Sequence, residues 1–311
     1  MGGSYSDLPS RSSDFGYFAL TFRRPDKIYL LLAGQDVVRT PSGLYQYCMI
    51  SLNQNDRLRL IDCPVTVINA VRDSINAHWK LKDETNFQIA HEFKLKGYPW
   101  MANDSETVSA RFLVAMILEK TASVGFPVLT SLDISRRAND KGVFVLRSIG
   151  GQSPLPTSQP SYFCISFNET DKIRLINVPQ PVKSVLRNVV GMHWSAGICR
   201  EQEYFGSYEM KLNGNPWYGM ETQDSLAANL VIAELFPYRC LMCIILSTLE
   251  ENGFSVTCSA DVSAKYQSNQ NGPGYPLDVH SWFVTQSGCD FQLPAASRPD
   301  LQDSDERAAS I

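Results

Sequence analysis

An internal duplication is the sequence feature that most limits how this chain can fold. The segment "YCMISLNQNDRLRLIDCP" at 47–64 matches "YFCISFNETDKIRLINVP" at 162–179 without a gap, at an offset of 115 residues. The order of motifs then continues to agree through a His-Trp pair, a Gly-x-Pro-Trp turn and a Gly-Phe pair, over about a hundred residues. The sequence therefore predicts one folding unit that is present twice.

The hydrophobic pattern of each unit predicts the order β-β-α-β-α-β-β. Alternating apolar and polar residues around an Asn-x-x-Asp break are typical of a β-hairpin. Pro64 and Pro179 lie where a helix would begin, and apolar residues then recur every three or four positions. A second helix is predicted from about 105 to 124, ended by Gly125. Because the strands have one polar face, we predict an α+β fold with two layers, in which helices pack on one side of an open sheet.

Changes in composition set the boundaries of the units. The segment "GGQSPLPTSQP" is rich in Gly, Pro and Ser, as linkers are, and "YFALTFRRPDKIYLL" at 17–31 partly repeats the start of the second unit. The predicted organisation is a disordered tail at 1–16, an extra hairpin or partial repeat at 17–40, repeat unit 1 at 41–149, a linker at 150–160, repeat unit 2 at 161–288 and a disordered acidic tail at 289–311.

One irregularity separates the two units. The distance along the chain from Trp217 to Gly253 is eleven residues longer than that from Trp100 to Gly125. We place the extra residues in the second helix near 236–246, where Pro237 is expected to kink or split it. A functional adaptation and a gene-model variant both explain the insertion.

Composition limits the classes of function. An apolar fraction of 44% and a charged fraction of 19% are typical of a soluble globular protein, and the net charge of -4 argues against a nucleic-acid surface. We find no apolar run long enough for a transmembrane segment and no secretory signal at the N-terminus. The eight cysteines lie mostly in apolar surroundings, which favours a reducing, cytoplasmic location.

One set of polar residues recurs in both units and could support catalysis. Its members are Asp56, Arg59, His78 and Asp133, with counterparts Asp171, Arg174, His193 and Asp261. A histidine with carboxylates can act as a general base. However, both histidines fall on the apolar stripe of a predicted helix, which favours hydrogen-bonded core histidines, and we assign no catalytic residue.

The Gly-x-Pro-Trp turns are the candidate recognition sites. Aromatic loops at equivalent positions could form a binding edge, so Trp100 and Trp217 are candidate binding residues, together with the strand aspartates Asp133 and Asp261. The alternative, which we favour for the tryptophans, is that each is buried and anchors its turn to the core.

Signatures for metals and cofactors are weak. Cys240 and Cys243 have CxxC spacing but lie in an apolar helical run without a second pair of ligands. Glycine-rich nucleotide loops and common hydrolase motifs do not occur. We therefore predict no metal and no cofactor.

The N-terminus fits a lipidation pattern. "MGGSYS" matches Met-Gly-x-x-x-Ser, which makes Gly2 a candidate for N-myristoylation, although an ordinary flexible tail has the same appearance. A single acyl chain would give only weak peripheral attachment to a membrane.

The functional hypothesis from sequence is a non-catalytic intracellular binding or adaptor module built from two α+β units. The alternative is a small-molecule or lipid-binding protein with its site between the units, and an enzyme ranks last. The identity of the protein partner or ligand does not follow from the sequence.

Overall fold

The structure is a computed structural model, and the residues it describes belong to one compact body, Ser42–Ile311. They are 46–87, 89–132, 141–149, 161–217, 225–263, 266–269, 272–276 and 278–286. The predicted terminal tails, the 17–40 hairpin and the 150–160 linker lie outside these residues.

Unit 1 consists of six strands and two α-helices. In chain order they are β1 (Tyr47–Asn53), β2 (Arg57–Ile61), α1 (Val65–His78), β3 (Leu81–Asn86), β4 (Ala90–Leu95), α2 (Asp104–Ser123), β5 (Val128–Leu132) and β6 (Val143–Arg147), with a 3₁₀ turn at Pro99–Met101 before α2. Helix α1 follows Pro64 as predicted, and Gly125 adopts a φ of 86° just after α2, where a residue without a Cβ ends a helix most easily.

Unit 2 repeats these elements. They are β7 (Tyr162–Asn168), β8 (Lys172–Ile176), α3 (Gln180–His193), β9 (Ile198–Tyr204), β10 (Ser207–Leu212), α4 (Ser225–Glu251), β11 (Phe254–Ala260) and β14 (Asp278–Gln286). A separate two-stranded hairpin, β12 (Tyr266–Asn269) and β13 (Gly272–Pro276), lies between β11 and β14 in the chain.

Each unit forms one antiparallel six-stranded sheet, and the two sheets have the same strand order. The first sheet runs β3-β4-β2-β1-β6-β5, and the second runs β9-β10-β8-β7-β14-β11. In the first, Ser51 lies opposite Arg59, and in the second Ser166 lies opposite Arg174, so the registers also agree. The predicted α+β fold and its tandem duplication are confirmed.

Each six-stranded sheet contains one strand more than the five that the sequence pattern predicted, and the β12–β13 hairpin of unit 2 was not predicted either. Strands β3 and β9 pair with β4 and β10 and form an edge of each sheet. Strand β3 has the sequence "LKDETN", whose residues are mostly exposed. An edge strand with so little apolar surface gives no alternating pattern, which is why periodicity missed it.

The long helix of unit 2 is continuous. Helix α4 spans 27 residues through Pro237, against 20 in α2, so a split at this proline is wrong, and a kink there stays a prediction. Aligning the two helices on Gly125 and Gly253 matches Arg111 with Arg239 and Leu118 with Leu246. The additional residues therefore precede 233, rather than lying at 236–246.

Helix α2 lies between the two sheets. Its buried residues cover the two sides that face the sheets, and the core cluster that contains Leu113, Ile117 and Leu118 includes Leu60 of the first sheet and Tyr162 of the second. The remaining strip of the helix carries the exposed residues Ser109 and Lys120. The order of layers is therefore first sheet, helices of unit 1, second sheet, helices of unit 2.

The two sheets also meet at one edge. Ser131 Oγ of β5 donates to the Ser259 carbonyl of β11 at 2.6 Å, and the rings of Phe144 and Phe283 contact each other edge to face. Gly142 lies here because a Cβ at this position would stand 2.8 Å from the Cβ of Ala260. The two units therefore contact each other at two places, along α2 and at the edge formed by β5 and β11.

Within the residues that the structure describes, no helix is both long and apolar enough to cross a membrane.

Candidate functional site

The same ion pair occupies equivalent positions in the two sheets. Arg59 Nε donates to Glu92 at 2.6 Å in the first sheet, and Arg174 Nε donates to Glu209 at 2.7 Å in the second. Leu58 and Leu60, which flank Arg59 in β2, point to the helices of unit 1. Arg59 and Glu92 therefore lie on the opposite side of the sheet from those helices.

Residues on this side of the two sheets are nearly identical. In the first sheet we call them the open face, namely Tyr47, Met49, Ser51, Asn53, Arg57, Arg59, Ile61 and Glu92. In the second sheet we call them the covered face, namely Tyr162, Cys164, Ser166, Asn168, Lys172, Arg174, Ile176 and Glu209. Six of the eight pairs are the same amino acid.

The covered face is the surface on which α2 packs. The Tyr162 backbone N–H donates to Glu119 Oε2 at 3.0 Å, and Arg174 Nη1 donates to Thr107 Oγ1 at 3.2 Å. Arg111 of α2 is buried, and its Nε donates to Ser281 Oγ on β14 at 2.8 Å. A helix of unit 1 is therefore the partner of the polar sheet face of unit 2.

The open face has similar chemistry but is only partly covered, since Ser51 and Glu92 are buried on it whereas Tyr47 and Arg59 are accessible. Tyr47 is 47% exposed, whereas its counterpart Tyr162 is 2% exposed. The Arg59 side chain is 39% exposed, whereas that of Arg174 is 6% exposed. The difference is what lies over each face, since the residues themselves are the same.

The accessible part of the open face is a strip along β1 and β2. Val143 and Val145 of β6, which lie on the same side, are already buried. Glu92 is also buried, and it accepts hydrogen bonds from Arg57 and Arg59. What remains for a partner is an aromatic ring, the partly buried Met49 and Ile61, and two half-exposed guanidinium groups.

The recurring polar set that could have supported catalysis is not brought together among the described residues. Arg59 lies on the open face, whereas His78 is the last residue of α1, on the helix side of the sheet. Asp56 lies at the β1–β2 turn and accepts the Leu95 N–H through its carbonyl. Asp133 lies outside the described residues.

The prediction that both histidines are core residues is wrong. His78 and His193 are exposed at the C-terminal ends of α1 and α3, and the His78 ring contacts Phe112 edge to face at 5.1 Å. The apolar stripe turns away from the core in the last helical turn.

The aspartates of unit 2 take part in the packing of that unit. Asp171 is buried, its carboxylate lies 3.4 Å from Lys211 Nζ, and its carbonyl accepts the Leu212 N–H. The Asp261 carbonyl accepts the Gly142 N–H from unit 1. A binding role for Asp261 or Asp133 stays a prediction.

The tryptophans hold the turns of each unit in place. Trp100 is fully buried and its Nε1 donates to the Arg57 carbonyl at 2.8 Å, while Trp217 Nε1 donates to the Lys172 carbonyl at 3.3 Å. Trp79 and Trp194 likewise donate to the carbonyls of Lys96 and Asn213. This geometry supports the anchoring alternative, and direct binding by Trp100 or Trp217 stays a prediction.

Comparison with known proteins gives a family. One protein-family model, described as a domain, matches the chain twice, over residues 46–147 and 161–285. The chain belongs to that domain family. The two matches coincide with the two six-stranded sheets and their helices, so each unit is one domain of the family. No curated protein and no solved structure shows a significant match.

A second ion pair recurs in both domains on the helix side of the sheet edge. Arg72 pairs with Glu84 in the first domain, and Arg187 pairs with Glu201 in the second. The arginine lowers the pKa of the glutamate in each case. A second partner differs, because His91 bonds Glu84 whereas Tyr208 bonds Glu201.

Burial, together with its hydrogen bond to Glu201, raises the pKa of the Tyr208 hydroxyl to about 12. A shallow cleft of about 350 Å³ lies beside the second pair, lined by Arg187, Asn188, Gly191, Met192, Ile198 and Glu201. Its two charged groups already bind each other, so the cleft offers a ligand few unsatisfied polar groups.

The cysteines do not form a metal site among the described residues. Cys240 and Cys243 are both exposed free thiols on α4, and the described part of the chain holds no cluster of three or more His, Cys, Asp or Glu with metal-binding geometry. Burial raises the pKa of the Cys164 and Cys258 thiols to about 12, which keeps them protonated and unreactive at neutral pH.

Sequence reasoning missed the residues that define the open face, above all Glu92 and Tyr47. The signal that could have found them is their recurrence as Glu209 and Tyr162 at equivalent positions. Recurrence alone, however, does not show which of the two faces is covered.

Proposed function

We propose that this protein is a non-catalytic binding module that uses the open face of its first domain to dock a protein helix. The observation that supports the proposal most directly is that the equivalent face of the second domain binds a helix within the same chain. A face with nearly the same residues and the same register offers most of the same donors, acceptors and apolar contacts to another helix.

The recurring polar residues are used for structure, which supports a non-catalytic role. Glu92 and Glu209 are buried acceptors for arginines, and the tryptophans close turns. A general base needs to reach a substrate in a cleft. Neither histidine of the predicted set lies in such a position relative to Arg59 or Arg174, since helix and arginine occupy opposite sides of the sheet.

The alternative function, a small-molecule or lipid site between the two units, has less support. The space between the sheets is occupied by α2, whose side chains Leu113, Ile117 and Leu118 are buried in a core that both domains share. A ligand site normally needs a preformed apolar cavity with a few inward polar groups. The packing of α2 therefore favours a macromolecular partner at the surface.

A cytoplasmic location is part of the same proposal. Cys48, Cys164 and Cys258 are buried free thiols, as is usual in a reducing compartment. Myristoylation of Gly2, with weak membrane attachment, stays a prediction about a residue outside the described part. The intact mass of the protein purified from its own cells tests it, because a myristoyl group adds a defined mass to the N-terminal peptide.

A photo-crosslinking experiment tests the proposed function. Tyr47 is replaced by benzoylphenylalanine, an aromatic probe of similar shape, and the matched control carries the same probe at Phe205, which is exposed at the β9–β10 turn of the second domain. We expect a covalent protein adduct from the probe at 47 and none from the probe at 205. An absence of protein adducts at 47, or adducts with lipid alone, would contradict the proposal.

A further inference from the structure

The helix stripe that binds the covered face is well defined. The residues of α2 on this side are Arg111, Ala115, Leu118 and Ala122, and all four are buried. Leu113, Ile117 and Thr121 lie on the opposite side of α2. The two alanines leave room for close approach of the helix to the sheet, and Arg111 supplies the hydrogen bond to Ser281.

The second domain has an equivalent stripe, and it is exposed. With Gly125 and Gly253 as the common reference, the α2 residues correspond to Arg239, Cys243, Leu246 and Glu250 of α4. All four are exposed, and Leu246 is 37% exposed where Leu118 is 0% exposed. We call these four residues the α4 stripe.

The opposite side of α4 confirms the correspondence. Leu241, Ile245 and Leu249 are buried against the second sheet and α3, at the positions that match Leu113, Ile117 and Thr121 of α2. The α4 stripe therefore points away from its own domain, as the α2 stripe does. In the first domain the next layer on this side is a sheet, whereas here the described chain places no sheet.

We propose that a second copy of this chain occupies the open face. The second copy docks its α4 stripe there, so that the domains of successive molecules stack head to tail. This inference rests on the proposed function, and it identifies the helix that docks on the open face as α4 of another copy of this chain. Among the residues that the structure describes, each molecule has a partly exposed acceptor, the open face, and an exposed donor, the α4 stripe. Both correspond by position to surfaces that already bind each other within the chain.

Such an interface is heterologous, because two different surfaces of the molecule meet. Heterologous contacts that do not close into a ring continue into open chains of molecules. The predicted assembly is therefore a series of rods whose length rises with protein concentration, rather than a single symmetric dimer.

The contact between molecules is expected to be weaker than the one inside the chain. Ser281, which accepts from Arg111, corresponds to Val143 in the first sheet, and Glu119, which binds the Tyr162 N–H, corresponds to Ser247. In addition, Glu250 replaces Ala122 and brings a carboxylate that has to lose water on docking. The lost hydrogen bonds and this carboxylate make the assembly dependent on concentration.

Sedimentation velocity of the full chain from about 1 µM to about 1 mM, the range of weak interfaces, is the first test. We expect the mean mass to rise continuously with concentration. Leu246→Glu on the donor and Tyr47→Glu on the acceptor should each weaken association about tenfold or more, because each buries a charge at the contact. Met192→Glu and Val65→Glu, at exposed sites of α3 and α1, are matched controls that should not change it.

Mixing the two disabled variants tests the head-to-tail geometry. The Tyr47→Glu molecule keeps an intact donor and the Leu246→Glu molecule keeps an intact acceptor. Their mixture should therefore form a complex that stops at two molecules, although neither variant associates alone. A mixture that forms no complex would overturn the proposal, and so would a wild-type chain whose association stops at two molecules, because a symmetric interface closes at a dimer.

A gain of affinity gives an independent check. Glu250→Ala restores the residue of α2, and we expect it to tighten association about tenfold. No change, or weaker association, would argue against docking of the α4 stripe. A wild-type chain that stays monomeric over the whole range would overturn the proposal outright.

The crosslinking probe at 47 separates failure of this inference from failure of the proposed function. An adduct with another copy of this chain supports both. An adduct with a different protein supports the binding function and overturns the head-to-tail assembly. No protein adduct overturns both.

Discussion

The covered face of the second sheet and the open face of the first carry almost the same residues, yet one is interior and the other is surface. Arg174 is enclosed by Glu209, Thr107 and the ring of Tyr204, which lies 4.3 Å from its guanidinium carbon. Arg59 makes the same bond to Glu92 but remains half-exposed. The comparison shows that burial of a polar sheet face is decided by the layer above it. A duplicated unit can therefore use one surface as core in one place and as a binding surface in another.

The two faces should differ most in how much free energy of unfolding is lost when their arginines are replaced. Arg174→Met leaves the buried Glu209 without its main cationic partner, and we expect a loss of about 3–5 kcal/mol of unfolding free energy. Arg59→Met leaves the buried Glu92 paired with Arg57, whose side chain is partly exposed, so we expect a smaller loss of about 1–2 kcal/mol. Denaturant unfolding of both variants measures the difference. Equal losses would mean that the two faces are equally buried.

The next largest loss of stability is expected at the edge where β5 and β11 bring the two domains into contact. Gly142→Ala places a methyl group 2.8 Å from the Cβ of Ala260, and overpacking of this kind should cost about 1–3 kcal/mol. Ala260→Gly removes the opposing methyl group and should restore much of the loss in the double variant. Gly191→Ala in α3, with no contact closer than 3.9 Å, is the control and should stabilise the protein by about 0.5–1 kcal/mol. A harmless Gly142→Ala would contradict the close approach of the two domains.

Replacement of the turn tryptophans Trp100 and Trp217 should give a smaller difference in the free energy of unfolding. Trp100→Phe leaves the Arg57 carbonyl without the buried 2.8 Å donor, and we expect a loss of about 1–2 kcal/mol. Trp217 is only partly buried and its bond is 3.3 Å long, so Trp217→Phe should cost less than about 1 kcal/mol. Thermal or denaturant unfolding of the two variants checks the order. If Trp217 instead proves the more costly, then the loop of the second domain is packed more tightly than this structure indicates.

The smallest effect concerns pH. Arg72 lowers the pKa of Glu84 and Arg187 lowers that of Glu201, so each glutamate binds fewer protons in the folded state than in the unfolded state. Their stabilisation is fully present above the ordinary glutamate pKa of 4.5 and is lost as the pH falls through the lowered values. Because both pairs are partly exposed, the change should be small.

An NMR titration of the Glu84 and Glu201 carboxyl carbons measures these pKa values. Arg72→Met should raise the pKa of Glu84 toward its ordinary value and leave that of Glu201 unchanged, and Arg187→Met should do the reverse. A Glu84 pKa that does not respond to Arg72→Met would remove the ion pair from the account of stability.

The sequence predicted the repeated elements because their signals are local. Pro64 and Pro179 begin α1 and α3, and Gly125 and Gly253 have positive φ after α2 and α4. Strand β3 was missed because a solvated edge strand needs few apolar residues. The continuity of α4 through Pro237 was missed because packing of Leu241, Ile245 and Leu249 outweighs one lost backbone hydrogen bond.

The candidate site was harder to predict because it depends on contacts between the domains. The pattern of β1 and β7 is nearly the same, and alternation of side chains shows that Tyr47 and Tyr162 lie on the polar side. Only the position of α2 shows that Tyr162 is enclosed, whereas Tyr47 is 47% exposed. The weak amphipathic pattern of α2, which has buried residues on two sides, was the one sequence signal of a helix between two sheets.

The central claim is that the open face is exposed while the equivalent covered face is buried. Hydroxyl-radical footprinting of the full-length protein, read by mass spectrometry at Tyr47 and Tyr162, measures this difference. The two tyrosines are chemically the same and occupy the same position in equivalent strands. In dilute protein we predict rapid oxidation of Tyr47 and strong protection of Tyr162, with Tyr47 becoming protected as the concentration rises. Equal oxidation of the two residues in dilute protein would contradict the account, because the two faces would then be equally covered.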